Sequence, residues 1–249
     1  MSDLRVNIFY LLFFHKYEGY QKKPLTKREH MNNYQNHHSK QEDPCYEYAV
    51  WLSKEVLEQK ISLPQILDQY YPKYYTKMQE TIDNFNCQSP IPITCKMNCD
   101  ACCHYQVASV PMEAKYIHFQ AKKRMSAKLF KIVTRKLKQV RTKEREIEAQ
   151  FPNDFLRQAR TYRLQKISCP FLHDKTCMIY NYRPMICRYH NVTSPPEMCY
   201  KDESIKNVQA WQHSSLMESD VKFQQFLSHY YLNNPKQGTL NRLLLENGF

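Results

Sequence analysis

Hydrophobic positions recur at helical intervals along most of the chain. Tyr48, Trp51, Leu52, Val56 and Leu57 form one stripe, and Ile66, Leu67, Tyr70 and Tyr74 form a second. They predict two helices over 45–86 whose aromatic positions face a core. Pro64 suits a first helical turn, whereas Pro72 predicts a kink or break. The longest stripe is Met125, Leu129, Ile132, Val133, Leu137, Val140 and Ile147, with lysine and arginine opposite. It predicts one long basic helix over 111–150, opened by Pro111 and ended by Phe151-Pro152. A further helix is expected over 153–166. Val208, Trp211, Leu216, Phe223, Phe226 and Leu227 predict another over 203–232, and Leu240 to Leu245 a short terminal one. Residues 19–44 are polar and read as a flexible linker, while 87–95 and 169–200 read as irregular.

This pattern predicts a mostly α fold: a helical bundle around an irregular, cysteine-rich metal-binding core. The expected organisation is an extension over 1–44, a helical segment over 45–90, the cysteine core over 91–200 and a C-terminal helical segment over 201–249. At 249 residues the chain is long enough to bury a core without metal or disulfides. Its mean hydropathy of −0.72 favours a soluble protein. Gly19, Gly238 and Gly248 are its only glycines. That excludes a Walker-type phosphate loop, a GxGxxG nucleotide turn and a GxSxG nucleophile elbow, all of which need glycine for close backbone approach or a strained turn. It also argues against tight hairpins built on positive φ.

Net charge is +12, and twelve of the lysines and arginines fall between Glu113 and Glu148 against four glutamates. A face this basic either attracts an anionic partner such as nucleic acid or is the solvated outside of a packed helix. No helix-turn-helix or aromatic RNA motif accompanies it. An apolar run from Val6 to Phe14 is too short to span a bilayer, and no small-residue cleavage site follows it. It reads as a packing or fraying segment; a signal, or a true start at Met31, are the alternatives. No transmembrane segment is expected, and the expected location is cytoplasmic.

Eight of the ten cysteines fall in two groups: Cys95, Cys99, Cys102 and Cys103, then Cys169, Cys177, Cys187 and Cys199. Four cysteines in nine residues are too dense for packing, and adjacent Cys102 and Cys103 bridge each other poorly. In a reducing compartment such clusters mean metal or redox chemistry. Thiolates favour zinc, cuprous copper or iron–sulfur clusters. All eight are therefore candidate metal ligands, able to hold two four-thiolate zincs or one iron–sulfur cluster with spare thiols. His104, His173 and His190 sit beside them as candidate ligands or neighbours. Cys45 and Cys87 lie outside both groups and read as structural. Arg183 and Arg188 flank Cys187 and either offset thiolate charge or form ordinary salt bridges. Tyr180, Tyr182 and Tyr189 are expected to pack around the site. The spacing Cys95-x3-Cys99-x2-Cys102 matches three ligands of a radical S-adenosylmethionine cluster, but the strand–helix units and glycine-rich contacts of that fold are missing.

The strings Cys99-Asp-Ala-Cys102-Cys103, Cys169-Pro-Phe-Leu and Cys177-Met-Ile-Tyr180-x2-Arg183-Pro184-x2-Cys187-Arg188-Tyr189 resemble the YkgJ-type cysteine-cluster proteins over about residues 95–200. Pro111-Met112-Glu113 fits the same pattern. The family often has glycine where this chain has Asp100, and its upstream cysteine is closer than Cys95. The resemblance implies zinc or iron chelation. Through the related flagellin lysine N-methylases it also implies an alternative: an S-adenosylmethionine-dependent protein lysine methylase with a cysteine-ligated cluster.

Overall fold

A computed structural model describes residues 44–201, 208–232 and 235–249. The readings made for residues 1–43, and for 203–207 of the expected C-terminal helix, lie outside these. Within them the chain is mostly helical, as the periodicity predicts. Helices α1 (Pro44–Leu57) and α2 (Tyr71–Cys87) form the first pair. Between them a turn at Leu63–Gln65 runs into a π-helical turn at Ile66–Tyr70. Pro64 sits in a first turn as expected. Pro72 does not break the helical run; it falls in the first turn of α2, directly after the π-helical turn, so the irregularity it demands is a local shift of hydrogen-bond pattern rather than a stop. The aromatic stripe is only partly core. Tyr74 is buried, but Trp51 is 44 % exposed and leans on Tyr48 and Tyr70 at the surface.

The helix expected over 111–150 is two helices, α3 (Pro111–Arg124) and α4 (Ala127–Gln150). Met125 is extended, and Ser126 caps α4 by accepting the Leu129 N–H at 3.2 Å. The continuous apolar stripe hid this serine cap. Val133, Leu137, Val140 and Ile147 are buried, while Lys128, Lys131, Arg135 and Lys138 are exposed opposite them. Five helices follow: α5 (Phe155–Leu164), α6 (Met185–Tyr189), α7 (Pro196–Tyr200), α8 (Ser214–Tyr231) and α9 (Leu240–Glu246).

Two-residue strands tie the irregular segments together in antiparallel pairs. β1 (Ala108–Ser109) pairs with β6 (Gly238–Thr239), β2 (Leu172–His173) with β3 (Thr176–Cys177), and β4 (Asn191–Val192) with β5 (Ala210–Trp211). Trp211 therefore belongs to a strand rather than to the expected helix, and it stacks on Phe85 at 5.0 Å. The β2–β3 hairpin corrects the expectation drawn from glycine scarcity. Its two turn residues, Asp174 and Lys175, have φ of 46° and 61°, the double left-handed turn usually given to Asn-Gly.

Tyrosine hydroxyls carry polar ties into the core. Tyr71 donates to Gln224 at 2.6 Å, Tyr74 to Asp220 at 2.7 Å and Tyr75 to Glu113 at 3.0 Å. The Glu113 carboxyl also accepts the Met185 N–H at 2.7 Å and the Ser109 hydroxyl at 2.6 Å. An acid on α3 thereby fastens the start of α6, the helix that carries Cys187.

Burial, and then the nearby Glu113, push Asp220 up to about 7 from its ordinary 3.8. Between those values the folded protein keeps a proton that the unfolded chain has released, so stability falls as pH rises from about 4 to about 7. Asp220→Asn is expected to flatten that fall, by up to about 1.4 kcal/mol per pH unit. Urea unfolding at several pH values checks it; a variant that keeps the parent slope would show that Asp220 is not the group titrating.

Candidate metal centre

The cysteine segments are brought together by backbone hydrogen bonds. Cys99, Cys102 and Cys103 lie on a short loop whose end is a 3-10 turn at Ala101–His104. Asn98 opens the loop with a φ of 69°, and its side chain accepts the Thr176 hydroxyl at 3.0 Å. That links the first cysteine group to the hairpin carrying Cys177. The Cys169 N–H donates to the Cys103 carbonyl at 2.7 Å, joining the second group to the first. Cys95 is held against the β4 segment: the Thr94 N–H donates to Val192 O at 2.9 Å, and the Cys95 thiol to His190 O at 3.6 Å. Cys199 is buried on α7 in a small cluster with Ala101, Val192 and Val208, against which Cys95 and Cys99 pack. Tyr200 donates to Asp100, which ties α7 to the cysteine loop.

Cys102 stands at the centre. It shares a thiol–thiol hydrogen bond with Cys103. It lies within electrostatic reach of Cys95, Cys169, Cys177, Cys187 and Cys199. Two sets adjoin there. Cys169, Cys177 and Cys187 act on one another in one set, and Cys95, Cys99 and Cys199 in the other. All ten cysteines are unbridged. Among the described residues no three histidine, cysteine or acidic side chains close into a ready-made ion site. The fit to a metal therefore rests on the donors: clustered, half-buried thiols are soft ligands that suit zinc or iron and not calcium or magnesium.

Burial raises the thiols of Cys95, Cys169, Cys177, Cys187 and Cys199. Cys95 and Cys169 are pushed up to about 12, and Cys177 and Cys199 are raised. Burial holds Cys187 well above the usual thiol range; for Cys102 the bond with Cys103 comes first and burial second. A metal entering here must displace protons, so uptake weakens as pH falls. Arg183 opposes the rise at Cys102, Cys177 and Cys187, and Arg188 does so more weakly at Cys177, which makes Arg183 the main charge-offsetting cation of the flanking pair. Its guanidinium stacks 4.0 Å from the Tyr180 ring. Arg188 instead turns into the core, donating to Gln79 at 2.7 Å and Asn181 O at 2.6 Å.

The other candidates separate clearly. Tyr182 and Tyr189 are buried in the main core, and Tyr189 donates to Met78 at 3.0 Å. His173 is exposed and pairs with Asp174 at 3.0 Å. His104 faces Ser168 at 3.4 Å. His190 is driven down to about 4 by burial and lies edge-on to Tyr105. Cys45 is buried against Met78, as a structural residue should be, whereas Cys87 is exposed. Asn98, Asp100, Asp174 and Glu113 all hold cysteine segments in place. The signals available for them were a left-handed Asn and Asp, and an acid buried at a helix start.

Residues 94–214 match the family model CxxCxxCC, described as "Putative zinc- or iron-chelating domain". The matched span takes in all eight clustered cysteines and excludes Cys45 and Cys87. No curated protein matches the chain, and no solved structure does.

Proposed function

We propose that Cys95, Cys99, Cys102, Cys103, Cys169, Cys177, Cys187 and Cys199 hold zinc or iron, as separate ions or as an iron–sulfur cluster, a reading supported by the match of residues 94–214 to the chelating-domain model. The observation that carries this reading is the meeting of both cysteine groups around Cys102, joined by the Cys169–Cys103 backbone bond, as half-buried and unbridged thiols. Zinc bound there supplies a cross-link between segments or an electrophile; a cluster supplies an electron. The chain's own part is to gather the thiols through Asn98 and the Cys169–Cys103 bond, and to offset their charge with Arg183. The all-thiol chemistry suits the cytoplasm, where cysteines stay reduced. Among the described residues no helix is long and apolar enough to cross a membrane.

Metal and acid-labile sulfide are measured on protein purified without oxygen. For separate ions, four thiolates each lead to an expectation of about one or two metals per chain. Iron with sulfide and visible absorbance assigns a cluster; zinc in a colourless protein assigns a thiolate-held ion. Metal-free protein whose cysteines all titrate as free thiols overturns the proposal. Heat on titration with S-adenosylmethionine would add the methylase-like reading to a metal-loaded protein.

A further inference from the structure

Helix α4 carries a stripe of positive charge along its outer side. Lys128, Lys131, Arg135, Lys138 and Arg145 are all exposed. With 3.6 residues per turn they fall within about one third of the helix circumference, and they run about 26 Å along its axis. Val133, Leu137, Val140 and Ile147 are buried on the other side, which fixes the stripe toward solvent. Among the described residues none of the five side chains is held in an ion pair. Neighbouring cations are treated differently. Lys123 sits on Asp68, Arg141 on Glu144 at 3.2 Å and Glu148 at 2.6 Å, and Arg157 on Asp154 at 3.2 Å. The exposed side of α4 offers the stripe one acid, Glu146, at its C-terminal end.

Like charges three and four residues apart on a helix repel, and a bound polyanion relieves that repulsion. The shape of the stripe selects among polyanions. It is straight and narrow, with its first four cations about 4.5–6 Å apart along the axis. A nucleic-acid duplex carries one charge per about 1.7 Å of axis, so each cation has a phosphate within reach. A lipid surface fits less well. The apolar side of α4 is spent on the core, and Ile132 is the one large apolar side chain it exposes, too little to enter a bilayer interface.

We propose that the outer face of α4 binds the phosphate backbone of a nucleic acid, through Lys128, Lys131, Arg135, Lys138 and Arg145 and without reading base sequence. The inference goes beyond metal binding and stands without it, since the stripe contains no thiol.

The test is fluorescence anisotropy of the full chain as purified, with a labelled DNA duplex of about 20 base pairs, longer than the stripe. With about five phosphates neutralised, log affinity is expected to fall against log salt with a slope of about −4 to −5, a loss of several hundred-fold between about 50 and 200 mM. Arg135→Gln with Lys138→Gln is expected to flatten the slope by about two and to weaken binding at about 50 mM salt at least ten-fold. Both positions are exposed and glutamine is a good helix former, so the fold is kept. Lys54→Gln with Lys73→Gln removes the same charge from exposed positions on α1 and α2, and is expected to leave the slope unchanged. No binding at low salt, or a stripe variant with the parent slope, overturns the proposal. So does equal flattening by both double variants, which would assign the binding to the overall charge of +12. Polyglutamate or phosphatidylserine vesicles that compete, charge for charge, as well as unlabelled duplex would overturn the choice of partner. Metal content measured on the same samples keeps the two readings apart, because the slope is expected whether or not metal is bound.

Discussion

Replacing Cys102 with serine is expected to strip metal from the protein, while replacing Cys87 with serine leaves the metal in place. The two substitutions are chemically identical and differ only in position. Cys87 is exposed at the end of α2, outside both cysteine groups. Cys102 is hydrogen-bonded to Cys103 and lies within reach of thiols from both groups. An alcohol is a poor ligand for a soft metal and stays protonated where a thiol gives up its proton. Loss of residues that merely orient a ligand costs about 10–100-fold in metal affinity, so loss of a central ligand should exceed that range. Metal analysis after dialysis against a graded series of chelator concentrations reads the effect. Cys95→Ser should fall between the two, because Cys95 belongs to the outer set with Cys99 and Cys199. Equal metal retention in Cys102→Ser and Cys87→Ser would remove Cys102 from the centre.

Much of this arrangement is legible from residue order. The helices follow the 3.6-residue stripe because burying that stripe is what stabilises them, and Val133, Leu137, Val140 and Ile147 are buried where the stripe puts them. The stripe says where a face is, and not whether the backbone beneath it is continuous. Hence the break at Met125–Ser126, set by one hydroxyl capping one N–H, stayed hidden. Trp211 shows a second limit. Its apolar neighbours fit a helix, yet pairing of Val192 with Ala210 and stacking on Phe85 make its segment a strand. Those partners lie far away in the chain, so no local pattern contains them. The two cysteine groups were legible from their density alone, and the structure brings them together. What holds them was not: Asn98 and Asp174 act through left-handed backbone, and Glu113 through a hydrogen bond to Met185, 72 residues away.

That last contact leads to the second large effect, at a residue with no thiol. Glu113→Ala is expected to destabilise the protein by about 3 kcal/mol or more, because three buried donors lose their acceptor together and each costs about 1–3 kcal/mol when left unsatisfied. The donors are the Met185 N–H, the Ser109 hydroxyl and the Tyr75 hydroxyl. Met185 begins α6, so the loss also loosens the backbone that presents Cys187. Glu113→Gln separates hydrogen bonding from charge. Burial raises the Glu113 carboxyl above its ordinary range, toward the neutral form that an amide imitates. The amide oxygen can accept from Met185 and Tyr75, and its NH₂ can donate to the Ser109 hydroxyl. Glutamine should therefore keep most of the stability, within about 1 kcal/mol, where alanine does not. Urea unfolding measures the first effect, and alkylation of Cys187 in metal-depleted protein, followed by peptide mass, measures the second. Faster alkylation in the alanine variant alone, with Cys87 unchanged as internal control, is the expected pattern. If alanine and glutamine behave alike, the carboxyl is not the acceptor that anchors α6.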